Sequence, residues 1–276
     1  MMYTETIGTI AEKAERANPR RDGDYYSEDG LLYCGNCHTQ KQCRIPKPDS
    51  MGGGEIVIPC SCECAKAKAA AEREAIRAGE REIYRRDVFR GGAGIGHTFA
   101  NDDGKNARLS KICKAYADKF TPESKWLLLY GGVGVGKSYL AACIVNALIN
   151  RDVSVMFTSI SEIERRLWNA ENKAAVYDKL ERVGLLVLDD MGAERNSDYM
   201  SEITFNVIDT RLRSGKPAVI TTNLTAGEIF KPSDLSLQRV MSRVCERSIP
   251  VLCEGEDRRV ISMRDNAGAA LAELLN

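Results

Sequence analysis

A chain of 276 residues that is 43% hydrophobic has apolar material for one or two domains with sizeable cores. Lys plus Arg and Asp plus Glu both number 39, so overall charge points to no nucleic-acid or membrane partner, and any DNA contact must come from a local patch. No run approaches the roughly 18 apolar residues of a membrane span, and the N-terminus lacks an apolar signal core. A cytoplasmic protein is therefore expected, its ten cysteines reduced or metal-bound rather than disulfide-paired.

Ile7, Ile10, Ala11 and Ala14 have helical spacing, and the polar stretch from Asn18 to Gly30 is expected to be poorly ordered. Cysteines then bunch. Cys34-Gly-Asn-Cys37 is a C-x-x-C knuckle, and Cys60, Cys62 and Cys64 follow after a flexible segment containing Pro46, Pro48 and Gly52–Gly54. Two thiolate clusters joined by a loose loop suit structural zinc, which closes on four tetrahedral ligands. Four of Cys34, Cys37, Cys60, Cys62 and Cys64 are the expected set, the choice between Cys62 and Cys64 being open, with Cys43 and His38 as spares. Unliganded thiols, a redox pair and an iron–sulfur site are the alternatives. A region so poor in large apolar residues needs a staple to fold.

Residues 65–86 are rich in Ala, Glu, Arg and Lys, which predicts a solvated helix acting as a linker, or alternatively a basic helix for nucleic acid. Gly91–Gly96 has phosphate-loop composition but no preceding strand and no Lys-Ser/Thr after it, so it reads as a boundary. A helical segment follows (Leu109, Ile112, Cys113, Tyr116, Phe120).

The apolar run Trp126–Tyr130 then reads as a buried strand, and helical spacing resumes after Ser138 (Leu140, Ile144, Val145, Leu148). Between them lies Gly131, Gly132, Val133, Gly134, Val135, Gly136, Lys137, Ser138, with Tyr139 next. Strand, glycine loop and helix are the context a Walker A motif requires. The loop turns its N–H groups onto phosphates, Lys137 reaches the β- and γ-phosphates of ATP, and the Ser138 hydroxyl ligates Mg²⁺.

Further strands are predicted at Val153–Thr158 and Val183–Leu188, with helical segments between them through Leu167 and Tyr177–Leu180. The second strand ends in Asp189-Asp190, a Walker B pattern in which Asp189 holds Mg²⁺ and Asp190 orients the attacking water. A helix (Ile203, Val207, Ile208, Leu212), a strand ending at Asn223, a basic helix around Leu237–Val244 and a last strand at Ser248–Leu252 complete an alternating pattern. That alternation predicts an α/β fold with a parallel sheet flanked by helices.

Gly131–Ser138, Leu185–Gly192, Thr221–Asn223 and Arg239–Val244, in this order, resemble the AAA+ replicative-helicase loaders of the DnaC/DnaI type, close to the IstB transposition ATPases. The resemblance covers about residues 97–260 and implies a P-loop AAA+ domain. The expected organisation is a helix and zinc module over 1–64, a charged linker over 65–96, the ATPase over 97–265 and a tail over 266–276. It further implies Asn223 as sensor 1 between Walker B and the γ-phosphate, and Arg243 as an arginine finger in a neighbouring subunit's site. Arg259, or Arg258 beside it, would face the nucleotide. The implied function is ATP-dependent loading of a hexameric replicative DNA helicase, with ATP hydrolysis as a switch, single-stranded DNA as a ligand and self-association through the ATPase domain. Alternatives are an IstB-like transposition ATPase, against which the cysteine module speaks, and an ATP-dependent DNA-binding protein without significant turnover.

Overall fold

The computed structural model describes residues 19–47, 52–193, 197–258, 260 and 263; the helix expected around Ile7–Ala14 and the residue Arg259 lie outside them. Two compact units divide the chain, Met1–Glu80 and Arg81–Asn276.

In the first unit, β1 (Tyr25–Tyr26) pairs antiparallel with β2 (Leu32–Tyr33), and β3 (Gln42–Pro46) pairs antiparallel with β4 (Glu55–Pro59). The expectation of poor order across Asn18–Gly30 fails for residues 19–30. Lys41 Nζ, itself buried, donates to Asp24 Oδ2 and to the Pro19 carbonyl, both at 2.6 Å, and Gly35 N–H donates to Asp24 Oδ1 at 3.0 Å. The Lys41 bond foremost, then N–H donation from Arg21 (2.8 Å) and Gly35, lowers the Asp24 carboxyl to a pKa of about 2. Polar anchoring of this kind leaves no trace in hydrophobic periodicity. Helix α1 (Glu63–Val88) runs through the boundary between the units, and along its whole length it carries no fully buried side chain.

The second unit is built on a five-stranded, wholly parallel sheet in the order β6-β7-β8-β5-β9. Its strands are β5 (Trp126–Gly131), β6 (Val155–Thr158), β7 (Leu185–Leu188), β8 (Ala218–Thr222) and β9 (Ser248–Cys253). Both faces are covered, which is why these strands read as continuous apolar runs. Alternate residues divide between two cores. Leu127, Leu129, Leu185, Val187 and Val219 pack with Leu109, Cys113, Leu140, Ile144 and Leu148 of α2 (Ala107–Asp118) and α3 (Lys137–Ile149). Leu128, Leu186, Leu188 and Ile220 pack against α4 (Ile160–Asn169), α5 (Lys173–Arg182), α6 (Asp198–Arg213) and α8 (Leu235–Arg247). A short α7 (Ala226–Phe230), closed by a Thr225–Glu228 capping box, went unpredicted because five residues show no period.

Gly91–Gly96 carries a 3₁₀ turn over Ala93–Gly96 and no phosphate loop, and Asn146 of α3 ties it down through Nδ2 bonds to the carbonyls of Gly94 (2.8 Å) and His97 (2.7 Å). One buried charge organises the second core. Arg211 of α6, 0% exposed, donates to the carbonyls of Leu180 and Val183 at 2.9 Å and of Gly184 and Pro217 at 3.1 Å, joining α5 to the leading ends of β7 and β8. Burial lowers its pKa to about 10.

Candidate functional site

The C-terminal ends of β5, β7 and β8 meet at one edge of the sheet, where open α/β folds place their ligands. Leaving β5, the chain turns through Gly131 at φ 135°, a left-handed conformation in which a Cβ would lie 2.2 Å from the Cys253 carbonyl oxygen of neighbouring β9. Gly136, at φ 100°, opens α3. The strand, loop and helix expected for Walker A are thus all present, with Lys137 and Ser138 in the first turn of a helix whose positive end faces the loop.

Lys137 is 7% exposed, and its Nζ donates to the carbonyls of Gly131 (2.8 Å) and Gly132 (2.6 Å) and to Asn223 Oδ1 (2.7 Å). Asn223 turns its Nδ2 to Asp190 Oδ1 at 2.7 Å. One amide therefore links the phosphate-loop lysine to the second Walker B carboxylate. Asp189 is held by a different residue: Thr221 Oγ1 donates to Asp189 Oδ1 at 2.7 Å and accepts from Asp190 N–H at 2.8 Å. Asp190 has the left-handed φ of 56°, and the turn is fixed by Met191 N–H to Thr221 O (2.8 Å) and Thr222 Oγ1 to Met191 O (2.6 Å). The sequence reading placed Thr221 in the Thr221–Asn223 segment without giving it a role of its own; its position directly after a buried run was the available signal.

Ser138 and Asp189 line a cleft of about 400 Å³ together with Phe89, Arg90, His97, Phe157, Ser159 and Glu162. A hydroxyl and a carboxylate facing one cleft are hard oxygen donors of the kind Mg²⁺ prefers. Tyr139 packs its ring 4.7 Å from His97 and donates its hydroxyl to Thr98 O at 3.0 Å; burial pushes its pKa up to about 12 and lowers that of His97. Arg258 lies over the loop, its N–H donating to Gly134 O (3.1 Å) and its guanidinium pairing with Asp103 (3.2 Å). Arg243, on α8, is engaged with other residues: it pairs with Asp209 and stacks over the Phe205 ring, 4.4 Å from its centroid.

In the first unit, the sulfurs of Cys34, Cys37 and Cys64 lie within 4.8 Å of one another. Tetrahedral zinc at about 2.3 Å from each sulfur needs S···S separations of roughly 3.8 Å, so this triad fits the ion with little adjustment. The Cys37 thiol is lowered to about 5, first by its bond with the Thr39 hydroxyl (3.1 Å) and then by backbone N–H groups, which favours the ligating thiolate. Cys60 stands apart. Burial and contact with Cys43 raise its pKa to about 11. Cys62 is 2% exposed and lines the same cavity as Cys34 and Cys64. His38 is bound to the Tyr25 hydroxyl at 3.3 Å.

Fold and site together define a P-loop nucleotide-binding protein of the AAA+ type. The model of the IstB-like ATP binding protein family matches residues 93–260, and the chain belongs to that family. It is 29% identical over 164 residues to the replicative helicase loader DnaI of Bacillus subtilis (strain 168), covering 55% of this chain and 52% of that protein. Over 147 residues it is 29% identical to the replicative helicase loader DnaC of Escherichia coli (strain K12), covering 51% of this chain and 58% of the relative. The chain thus spans about half the length of these curated relatives. A crystal structure of DnaI superposes with a TM-score of 0.50 at 25% identity, over 63% of this chain and 93% of that one. No described helix is long and apolar enough to cross a membrane.

Proposed function

We propose that this protein is an ATP-dependent loader of a replicative DNA helicase and hydrolyses ATP as the switch that releases its cargo. The observation that carries the reading is the hydrogen-bonded chain Lys137–Asn223–Asp190 beside Thr221–Asp189, which joins the phosphate-loop lysine and both Walker B carboxylates across three adjacent strand ends. Its likeness to relatives named replicative helicase loaders supplies the direction of the work.

In this reading the backbone of Gly131–Ser138 cradles the phosphates, Lys137 exchanges its carbonyl partners for β- and γ-oxygens, and Mg²⁺ is held by Ser138 and Asp189. Asp190 orients the water. Asn223, bonded to both Lys137 and Asp190, registers whether the γ-phosphate is present. Arg258 covers the phosphate loop from the side of β9, and Arg243 completes the site of a neighbouring copy as an arginine finger. Single-stranded DNA and the helicase gather the subunits. The first unit is a zinc module, with Cys34, Cys37 and Cys64 as three ligands and buried Cys62 as the fourth; zinc there supplies folding energy only.

The test joins binding to turnover. Co-purification with the replicative helicase of the source organism should occur with the wild-type chain. Lys137→Ala should lose ATP binding, whereas Asp190→Asn should bind ATP normally and hydrolyse it on the order of a hundredfold more slowly. Mixing inactive Lys137→Ala with inactive Arg243→Ala should partly restore hydrolysis, since one mixed interface combines an intact loop with an intact finger. A mixture that stays inactive while mixed oligomers form removes the role of Arg243, and equal hydrolysis by wild type and Asp190→Asn removes that of Asp190.

A further inference from the structure

The pairing of Arg243 bears on how the site is regulated. Asp209 of α6 has two guanidinium partners, one for each carboxylate oxygen: Arg243 on Oδ1, and Arg213, one helical turn further along α6, on Oδ2 at 3.1 Å. Phe205, one turn earlier on the same helix, presents the ring over which Arg243 lies. A single face of α6 therefore supplies an aromatic floor, a carboxylate and a second cation. Arg243 is not locked in. Its side chain is 37% exposed, and it borders an open cleft of about 480 Å³ shared with Phe205, Gln238, Arg239 and Ser242.

A guanidinium neutralised within its own chain cannot at the same time neutralise a phosphoryl group elsewhere, because its hydrogen-bond fork and its charge are both engaged. Leaving would otherwise strand a partly shielded carboxylate without a cation. Here Arg213 already holds the other carboxylate oxygen of Asp209. We propose that Asp209 is a positioning residue acting as a latch in cis: it parks Arg243 over Phe205 in the lone subunit and releases it when the γ-phosphate of a neighbour's nucleotide competes for the guanidinium. The inference rests on Arg243 serving as the finger in trans. It adds that the finger is withheld until subunits gather, and that Arg213 sets how easily it is let go.

The strength of the latch follows from its exposure. A solvent-accessible ion pair contributes little, so the expected effect is about two- to fivefold in the protein concentration that half-saturates hydrolysis. Hydrolysis of ATP would be measured against protein concentration for wild type, Asp209→Asn, Arg213→Ala and Arg243→Ala. Asp209→Asn should reach half-saturation at a concentration two- to fivefold lower, with turnover at saturation unchanged. Arg213→Ala should shift it the opposite way by a similar factor, since release then leaves the carboxylate bare; this variant also carries the test if Asp209→Asn folds poorly. Loss of helix stability would move both variants in the same direction, and that outcome overturns the latch. So does wild-type concentration dependence in both variants alongside an inactive Arg243→Ala, a result that leaves the finger standing. Wild-type turnover by Arg243→Ala would instead remove the finger, and the latch with it.

Discussion

Thr221→Val gives the most direct probe of the Walker edge of the sheet, because it keeps side-chain volume while deleting one hydroxyl that bonds two Walker B groups. Thr221 is 1% exposed, so water does not replace what is lost. The Asp190 N–H, 2.8 Å from Thr221 Oγ1 in a partly buried bond, loses its acceptor, at about 1–3 kcal/mol. Asp189 loses a charge-assisted bond of 2.7 Å, about 1.5–3 kcal/mol, of which part is recovered because its carboxylate borders the open cleft. A net loss of about 2–4 kcal/mol follows, or a fall in Tm of roughly 5–12 °C for a domain of this size. The functional effect should exceed what that loss explains. Asp189, no longer held, should bind Mg²⁺ about ten- to a hundredfold more weakly, as ligands deprived of their supporting partner do. Thermal unfolding followed by circular dichroism measures the first quantity, and ATP hydrolysis titrated with Mg²⁺ at a temperature where the variant is folded measures the second. An unchanged Mg²⁺ requirement would refute the claim that Thr221 aims Asp189 at the metal, whatever happens to Tm.

Freshly prepared, reduced protein should carry about one zinc per chain by elemental analysis; Cys34→Ser or Cys64→Ser should abolish it, and Cys43→Ser should leave it nearly unchanged. Arg211→Met should cost about 3–5 kcal/mol in denaturant unfolding, because four backbone carbonyls lose a common donor; a loss under about 1 kcal/mol would mean that those carbonyls find other partners. His97 makes stability depend on pH. Burial lowers its folded pKa below the ordinary 6.5, so as pH falls through 6.5 the unfolded chain takes up a proton that the folded one refuses, and stability declines. His97→Gln should flatten the unfolding free energy of the second unit below pH 6.5, and an unaltered slope would place the titrating group elsewhere.

What could be read from the chain and what could not divide along a physical line. Trp126–Tyr130 and, within the expected Val183–Leu188, the strand Leu185–Leu188 were legible because a parallel strand covered on both faces must be apolar throughout, and the glycine loop was legible because positive φ at Gly131 and Gly136 excludes most other residues. Asp189, Asp190 and Asn223 were legible as strand ends in a fold whose ligands sit there. Thr221 and Arg211 were not. Arg211 stands among many other polar residues of its helix and Thr221 beside Thr222, and the partners that single them out, Leu180 and Val183 for the one and Asp189 for the other, lie 28 to 32 residues away, which no local pattern encodes. The same holds for Asp24 and Lys41 in the cysteine-rich unit, 17 residues apart.

This division has a consequence for where the chain tolerates change. Residues legible from pattern are constrained by class, so Leu128 exchanged for Ile keeps the sheet covered at a cost of less than about 1.5 kcal/mol. Residues invisible to pattern are constrained by geometry. At Arg211 even Lys, which keeps the charge, cannot reach four carbonyls with a three-donor head on a flexible stem. The Walker edge of the sheet is built from both kinds: apolar runs bring the ends of β5, β7 and β8 together, and the hydroxyl of Thr221 and the amide of Asn223 bond the two carboxylates there. Activity should therefore be lost through these two polar links well before the sheet that carries them is disturbed.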